Sequence, residues 1–498
     1  MSHRSFRLLL LFVCLLSLFM WSGVVGMKAS KAAAKSGESI QPSGEGIISP
    51  QRINTAALPH IQQTGATEIH LPASQTQHPT SPHVWQPLAS LQNVVKVPAP
   101  TSTDTSAKQG LSQQGGKPDA NGAGGLDNYL ETTNPGPSIY SRSGTKQETT
   151  TYQSWFNSTS SFYDPVTVWD NIGGRFIFSV LQTSAQKIWL SVAQQANATG
   201  SYCNYSFPTT SGHDFDKLGV NSNGIYFSFN VLAPNSPTKV QSNELFFVGR
   251  VALESCQKAN YTSWSGLKNP NGGIAEAITP AVDASPTATA EYLVNSYPLG
   301  GCQLTLWTLT TSSATLTSTT VPTQCYSPPS NAKQKGSSAL ISTGDCSLTQ
   351  ASLVNGLLTV DMPGAYDWGD GNGPVSIVQW FVLNPSTHSV SNQGAFGTPG
   401  YWLFYPSAIT TANGHRLFLY NASGTSIYPS VWYVNQTLTG ATALANGVSY
   451  FGTSGTSPWG DYQSAWPDSA VSTNAVWVTG EYVKSSNVWG SAFDLVTP

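Results

Sequence analysis

A single local pattern returns six times between residues 166 and 483 and restricts the fold more than anything else in the chain. Each copy is a turn rich in Asp, Asn, Ser and Gly, followed by a run that alternates aromatic and β-branched residues. The copies are VTVWDNIGGRFIFSVLQ (Val166–Gln182), GVNSNGIYFSFNVL (Gly219–Leu232) and AVDASPTATAEYLV (Ala281–Val294). SLVNGLLTVDMP (Ser352–Pro363), AITTANGHRLFLYNAS (Ala408–Ser423) and AVSTNAVWVTGEYV (Ala470–Val483) complete the set. The strands after successive turns are 49, 65, 67, 60 and 59 residues apart. Alternation with period two after an Asn/Gly turn marks a hairpin. Each repeat holds further strands, such as KIWLSVAQ or VSIVQWFVL, and no helical periodicity. Units of three or four antiparallel strands repeated in this way predict an all-β chain, a six-bladed β-propeller, with five or seven blades as the neighbouring solutions. The last repeat supplies only three strands before Pro498. Glu148–Asn157 stands without a blade of its own and is expected to close the last blade as its fourth strand, pairing near Trp489–Leu495, which would remove an exposed edge.

The sequence before the repeats is of another kind. In residues 1–26, Arg4 and Arg7 precede an apolar run, Leu8–Trp21, as a signal peptide or a membrane anchor requires. Residues 27–146 are rich in Gln, Ser, Thr, Pro, Gly and Ala, which predicts a disordered low-complexity linker that cannot offset its ordering entropy. Residues 147–498 are then the propeller. Charged residues make up only 9% of the chain, so no basic patch exists for nucleic acid. Aromatics reach 11%, which suits a β-rich exported protein with uncharged polar surfaces.

Four strings resemble a group of uncharacterised secreted bacterial β-propeller proteins: Tyr163–Ser179, His213–Asn230, Tyr401–Tyr433 and Pro458–Tyr482. The likeness spans about 330 residues in order and in general shape is closest to the sialidase-like six-bladed propellers. It implies an extracytoplasmic propeller and carries no activity residue by residue. The Ser-x-Asp-x-Gly-x-x-Trp box of true sialidases is missing, and the only arginines after residue 146 are Arg175, Arg250 and Arg416.

Glycoside hydrolysis needs two carboxyl groups about 5–10 Å apart. First strands that converge on an axis could bring together Asp164, Asp170, Asp214, Asp216, Asp283, Asp461 and Glu481, of which Asp170, Asp214, Asp461 and Glu481 are the catalytic candidates. Each also suits a plainer role; Asp170 and Asp461, for example, stand in turns that a carboxylate can cap. Asp367, Asp370 and Asn372 put hard oxygen ligands on a Gly-rich turn that could take Ca²⁺, although the spacing is not that of a twelve-residue calcium loop. No other cofactor is indicated, and no Gly-x-Ser-x-Gly turn occurs. Among the tryptophans, which mostly belong in the core, Trp368 and Trp459 lie beside glycines and could reach a rim to stack on a sugar or anchor a protein.

An exported chain favours disulfides. Cys302 with Cys325, bracketing a hairpin, and Cys203 with Cys256 are the expected pairs, leaving Cys346 free. The expected function is an exported cell-surface or secreted binding or scaffold module for a glycan or an extracellular protein. Membrane contact would run only through the N-terminal segment. The alternative is a sialidase-like glycosidase using axial carboxylates. Convergence of those acids at an open mouth would favour the enzyme; a plugged or apolar mouth would favour binding.

Overall fold

A computed structural model describes residues 37–61, 91, 93–183, 187–209, 212–234, 236–468 and 474–498. The expected signal or anchor, residues 1–26, lies outside the described residues. Among these, strands dominate and the only α-helices are two five-residue segments, Tyr152–Phe156 and Arg250–Glu254.

Among the described residues, seven antiparallel units of four strands follow one another. The first comprises Asn121–Gly124, Asn128–Thr133, Gly136–Ser141 and Lys146–Thr149. The second begins at Phe162–Asp170 and ends at Ser201–Pro208; the third begins at His213–Val220 and ends at Ala259–Ser265. The fourth runs from Thr279–Pro280 to Thr315–Tyr326, the fifth from Ala351–Val354 to Ser389–Gly397, and the sixth from Tyr401–Thr410 to Thr442–Ala445. The seventh consists of Ser464–Pro467, Val476–Ser485, Val488–Val496 and a strand from far upstream, Lys108–Gln114. First strands of units one to four lie against each other in order, as do those of units five, six, seven and one. Val282–Asp283 forms parallel bridges to the first strands of both the third and the fifth unit, which joins these two in one eleven-stranded sheet. A small three-stranded sheet, Ala332–Gln334, Ser337–Ile341 and Thr456–Ser457, stands apart from the seven.

Aromatic layers fill the spaces between units, as the abundance of Trp, Phe and Tyr predicts. Phe207, Phe227, Phe246 and Tyr261 stack between units two and three, with ring centroids 4.7–5.6 Å apart. Tyr129, Tyr140, Trp477 and Phe493 do the same between units one and seven. Rings of this size each bury a large apolar area.

Two expectations need correction. The linker expected over residues 27–146 is largely structured where it is described: residues 121–149 are the extra unit, and its tyrosines and Ile139 are buried. Composition misled because Gly, Ser and Asn in this stretch form tight turns and close sheet contacts; a Cβ on Gly124 would collide with Trp477, and one on Gly125 with Trp169.

Upstream of that unit, the same stretch follows the outer edges of all seven units. Gly37 and Ile40 bond to the outer strand of the fourth, Gly44–Ile48 pairs with that of the third, and Gln51–Asn54 with that of the second. Ile61 donates to Thr149 of the first. Beyond the undescribed residues 62–90, Val95–Lys96 pairs with the fifth, residues 102–104 bond to Ala443 of the sixth, and Lys108–Gln114 completes the seventh.

The strand that completes the last unit is the second correction. Glu148–Asn157 does not pair with Val488–Val496. Its Tyr152, Trp155 and Phe156 recur at i, i+3 and i+4, a helical spacing, and the helix Tyr152–Phe156 buries all three against unit two. Thr151 caps it by accepting from the Ser154 N–H at 3.2 Å. The edge left open in unit seven is filled by Lys108–Gln114 instead.

Candidate functional site

The first strands begin with a repeated distortion. Asp119, Asp164, Phe215, Ala277 and Tyr405 have φ of 46°, 55°, 62°, 50° and 45°, at or just before the first strands of units one, two, three, four and six. Pairing slips at Asp164, Phe215 and Tyr405, each inside a bulge. Non-glycine residues hold this left-handed conformation only when their surroundings enforce it. Here the enforcement comes from a neighbouring unit. The N–H of Asp164 donates to Asn134 Oδ1 at 2.9 Å, that of Phe215 to Asp164 Oδ2 at 2.8 Å, and that of Ala277 to Asn230 Oδ1 at 2.9 Å. The Asp461 N–H donates to Asp119 Oδ1 at 2.6 Å, and Gln463 Nε2 to the Tyr405 carbonyl at 2.8 Å. Polar side chains thus latch unit to unit where the strands meet.

Charge collects at the same place. Asp119, Asp164, Asp214, Asp216, Asp461 and Glu481 are all at most 4% exposed. Two lysines, Lys217 buried and Lys117 largely so, share this environment with opposite outcomes. Lys117 Nζ lies 2.6 Å from Asp461 Oδ2; burial opposes its charge, but Asp461 and Asp119 outweigh it and raise its pKa. Lys217 Nζ finds no hydrogen-bond partner among the described residues and sits 3.2 Å from the Phe215 ring centroid and 4.5 Å from that of Tyr462. Burial drags its pKa down to about 7 despite the pull of Asp164, Asp461, Asp216 and Asp214. Burial also pushes Asp119, Asp216 and Glu481 well above the usual carboxylate range; for Asp119 the neighbouring Asp164 and Asp461 add to the effect. Asp361, buried in unit five and accepting from Thr349 Oγ1 at 3.1 Å, is pushed up to about 7, again by burial.

Of the four catalytic candidates, Asp214, Asp461 and Glu481 belong to this group, the last accepting from the Ala120 N–H at 3.2 Å. Asp170 does not. It lies at the far end of the same strand as Asp164, ion-paired with Arg250 and accepting from the Ile172 N–H at 3.0 Å. Asp283 caps a turn through the Ser285 N–H.

Trp459 is a correction: it is fully buried, packed edge-on against Phe451 and donating to Asn421 Oδ1 at 3.0 Å. The glycine beside it serves close packing against Glu481, not a rim. Trp368 is half-buried between Tyr366 and Lys96. Asp367 and Asp370 are exposed, and each accepts the N–H two residues ahead, at 2.8 and 3.0 Å, so the turn uses them as its own caps. Neither they nor Asn372 gather into a ligand set, and among the described residues no group of three His, Cys, Asp or Glu is arranged to hold a metal. Cys203–Cys256 and Cys302–Cys325 are bonded, and Cys346 is free and buried.

Sequence reasoning missed Lys117, Asp119 and Lys217. The first two lie in GGKPDANGAGGLDNYL, whose Asn-Gly turn and Tyr-Leu alternation are the repeat's own signal inside a low-complexity background. At the opposite ends of the first strands, a small open pocket is lined mainly by Trp169, Val282, Leu353 and Trp466. Its walls are apolar, and Trp466 Nε1 is already committed to the Thr167 carbonyl at 3.1 Å.

No family model and no curated protein matches the chain. Solved structures do, distantly. An ACO/RPE65 chimera is 10% identical with a TM-score of 0.31, covering 72% of this chain, which spans 64% of the chimera's length. A subtype N10 neuraminidase-like protein of the isolate A/little yellow-shouldered bat is 8% identical (TM-score 0.34; 64% of this chain, 93% of that one). The sialidase of Trypanosoma rangeli is 11% identical (TM-score 0.33; 79% and 59%). None of these likenesses is close enough to carry a residue's role across.

Proposed function

We propose that the chain is an exported β-propeller of seven blades that acts as a binding or scaffold module for a glycan or an extracellular protein, without hydrolytic chemistry of its own. One observation carries this reading. The carboxylates near the strand starts are at most 4% exposed, and Phe215 and Tyr462, the rings against Lys217, are themselves 3% and 1% exposed. Several of these carboxylates are bound to lysine or to backbone N–H groups of the next unit. A general acid and base must reach substrate, whereas a buried, latched cluster serves unit-to-unit register. The seven four-stranded units, with first strands in contact from one to four and from five through seven back to one, support the propeller, and two disulfides fit an oxidising compartment.

The hydrolase reading keeps one supporting observation: acids with raised pKa beside a lysine near neutrality are the pairing that acid–base catalysis uses. A glycan array on the purified full chain, run beside hydrolysis assays on the same glycans, tests both. Retention without turnover is the expected result. Turnover that Asp216→Asn or Asp461→Asn abolishes would overturn the binding reading.

A further inference from the structure

Lys117 stands just before the first strand of unit one and Asp461 just before the first strand of unit seven, two strands that lie against each other. Lys117 Nζ is 2.6 Å from Asp461 Oδ2, across 344 positions of sequence, and the two side chains are 11% and 3% exposed. Both backbones are held in place. The Lys117 carbonyl accepts from Asn134 Nδ2 at 3.1 Å, and the Asp461 N–H donates to Asp119 Oδ1 at 2.6 Å. Asn134 Nδ2 also donates to the other oxygen of Asp119, so a single amide ties the lysine to the acid that anchors its partner. Asp119 is fully buried; burial, with Asp164 and Asp461 beside it, holds a proton on its carboxyl well above the usual range. An amine, a carboxyl and a third acid able to carry a proton are thus gathered where water is largely excluded.

Contact, immobility and the exclusion of water are the conditions under which an amine and a carboxyl condense. Groups held in a reactive geometry behave as if at about 10⁵ M or more, and a buried ion pair has given up solvation that a neutral amide does not need. We propose that the side chains of Lys117 and Asp461 become joined by an amide bond, formed by the folded chain itself, which fastens unit one to unit seven. The ion pair is the starting state, and the carboxylates around Lys117 keep it charged there, so the reaction is slow and happens once per chain. Lys117 Nζ passes a proton to Asp461 Oδ2 across their contact, and the neutral amine attacks Asp461 Cγ. The N–C bond forms, one C–O bond breaks, and Asp119 gives its proton to the departing oxygen and recovers one from the nitrogen. One water leaves; no oxidant, reductant or other co-reactant is consumed, and one positive and one negative charge vanish together. Lys217 lacks the same opportunity, because its Nζ has no carboxyl within hydrogen-bond reach among the described residues. The bond is independent of the binding reading above.

The intact mass of the purified full chain, denatured and with its disulfides reduced, tests this together with a protease digest. The wild-type chain should be lighter than its sequence, counted from the observed first residue, by one water, about 18 Da. Its digest should contain one branched peptide that joins the segments around Lys117 and Asp461. Lys117→Arg, which keeps the charge but not the amine, and Asp461→Ala should have the full mass and no branched peptide. Lys117→Arg should also melt at a lower temperature than wild type, since the covalent tie is lost while a charged pair remains. Asp119→Asn should leave the chain unlinked at full mass; linkage that persists in it would overturn the part given to Asp119 as proton carrier. Full mass and no branched peptide in the wild-type chain would overturn the bond and leave an ion pair only, and a lost water mapped to another pair of residues would do the same. The wild-type digest decides the question even where a variant fails to fold.

Discussion

Lys117 and Lys217 show what burial does to identical side chains. The first has a carboxylate oxygen at 2.6 Å and keeps its proton; the second faces two rings and gives it up near pH 7. Asp361 is the acidic counterpart, raised to about 7 from 3.8. The folded state therefore holds a proton on Asp361 between about pH 4 and 7 that the unfolded chain has released, and stability from this group falls as pH rises through that window. Asp119, Asp216, Glu291 and Glu481, all raised, act in the same direction. Lys217 acts oppositely and later, adding stability between about 7 and 10.5. Asp361→Asn should thus leave urea unfolding at pH 4 unchanged and stabilise at pH 8 by roughly 1–4 kcal/mol, the upper figure being about three pKa units. Equal effects at both pH values would mean that the carboxyl ionises normally.

At the scale of elements, residues 37–61 and 93–114 decide whether the sheets have free edges. An open outer strand is a template for pairing with another chain. Deleting residues 36–107 should leave unit seven complete through Lys108–Gln114 and uncover the outer strands of the other six. The expected product is folded but associates, with sheet content retained in circular dichroism and a larger apparent mass in size exclusion. A monodisperse monomer would show that the arm is dispensable. Extending the deletion to 115 also removes the strand that pairs with Val488–Val496 and should abolish folding.

At the scale of the whole molecule, a charged pair joins units one and seven. Arg142 makes a two-pronged ion pair with Asp468, whose side chain is fully buried, while stacking 5.2 Å from Trp477. Arg142→Ala removes this pair between units one and seven and should cost about 1.5–3 kcal/mol in chemical denaturation; a loss below about 0.5 kcal/mol would mean that the contact between the two units does not depend on it. The disulfides differ in reach. Cys203–Cys256 ties the outer strand of unit two to the helix turn after the third strand of unit three, across 53 residues. Cys302–Cys325 spans 23 residues within one hairpin that is already hydrogen-bonded. The Cys203→Ser and Cys256→Ser pair should therefore lower the melting temperature more than Cys302→Ser with Cys325→Ser.

The sequence by itself determined strand content, the hairpin turns and the cysteine pairs, because turn chemistry and period-two alternation are local. It also brought Asp214, Asp461 and Glu481 forward as acids near strand starts. It could not say that Lys108–Gln114 and not Glu148–Asn157 completes the last sheet, that a Gly- and Ser-rich stretch supplies a seventh unit, or that Trp459 is buried. Only tertiary structure decided those, together with the state of each titratable group, because edge pairing, burial and the company a charge keeps are set by residues more than 300 positions away along the chain.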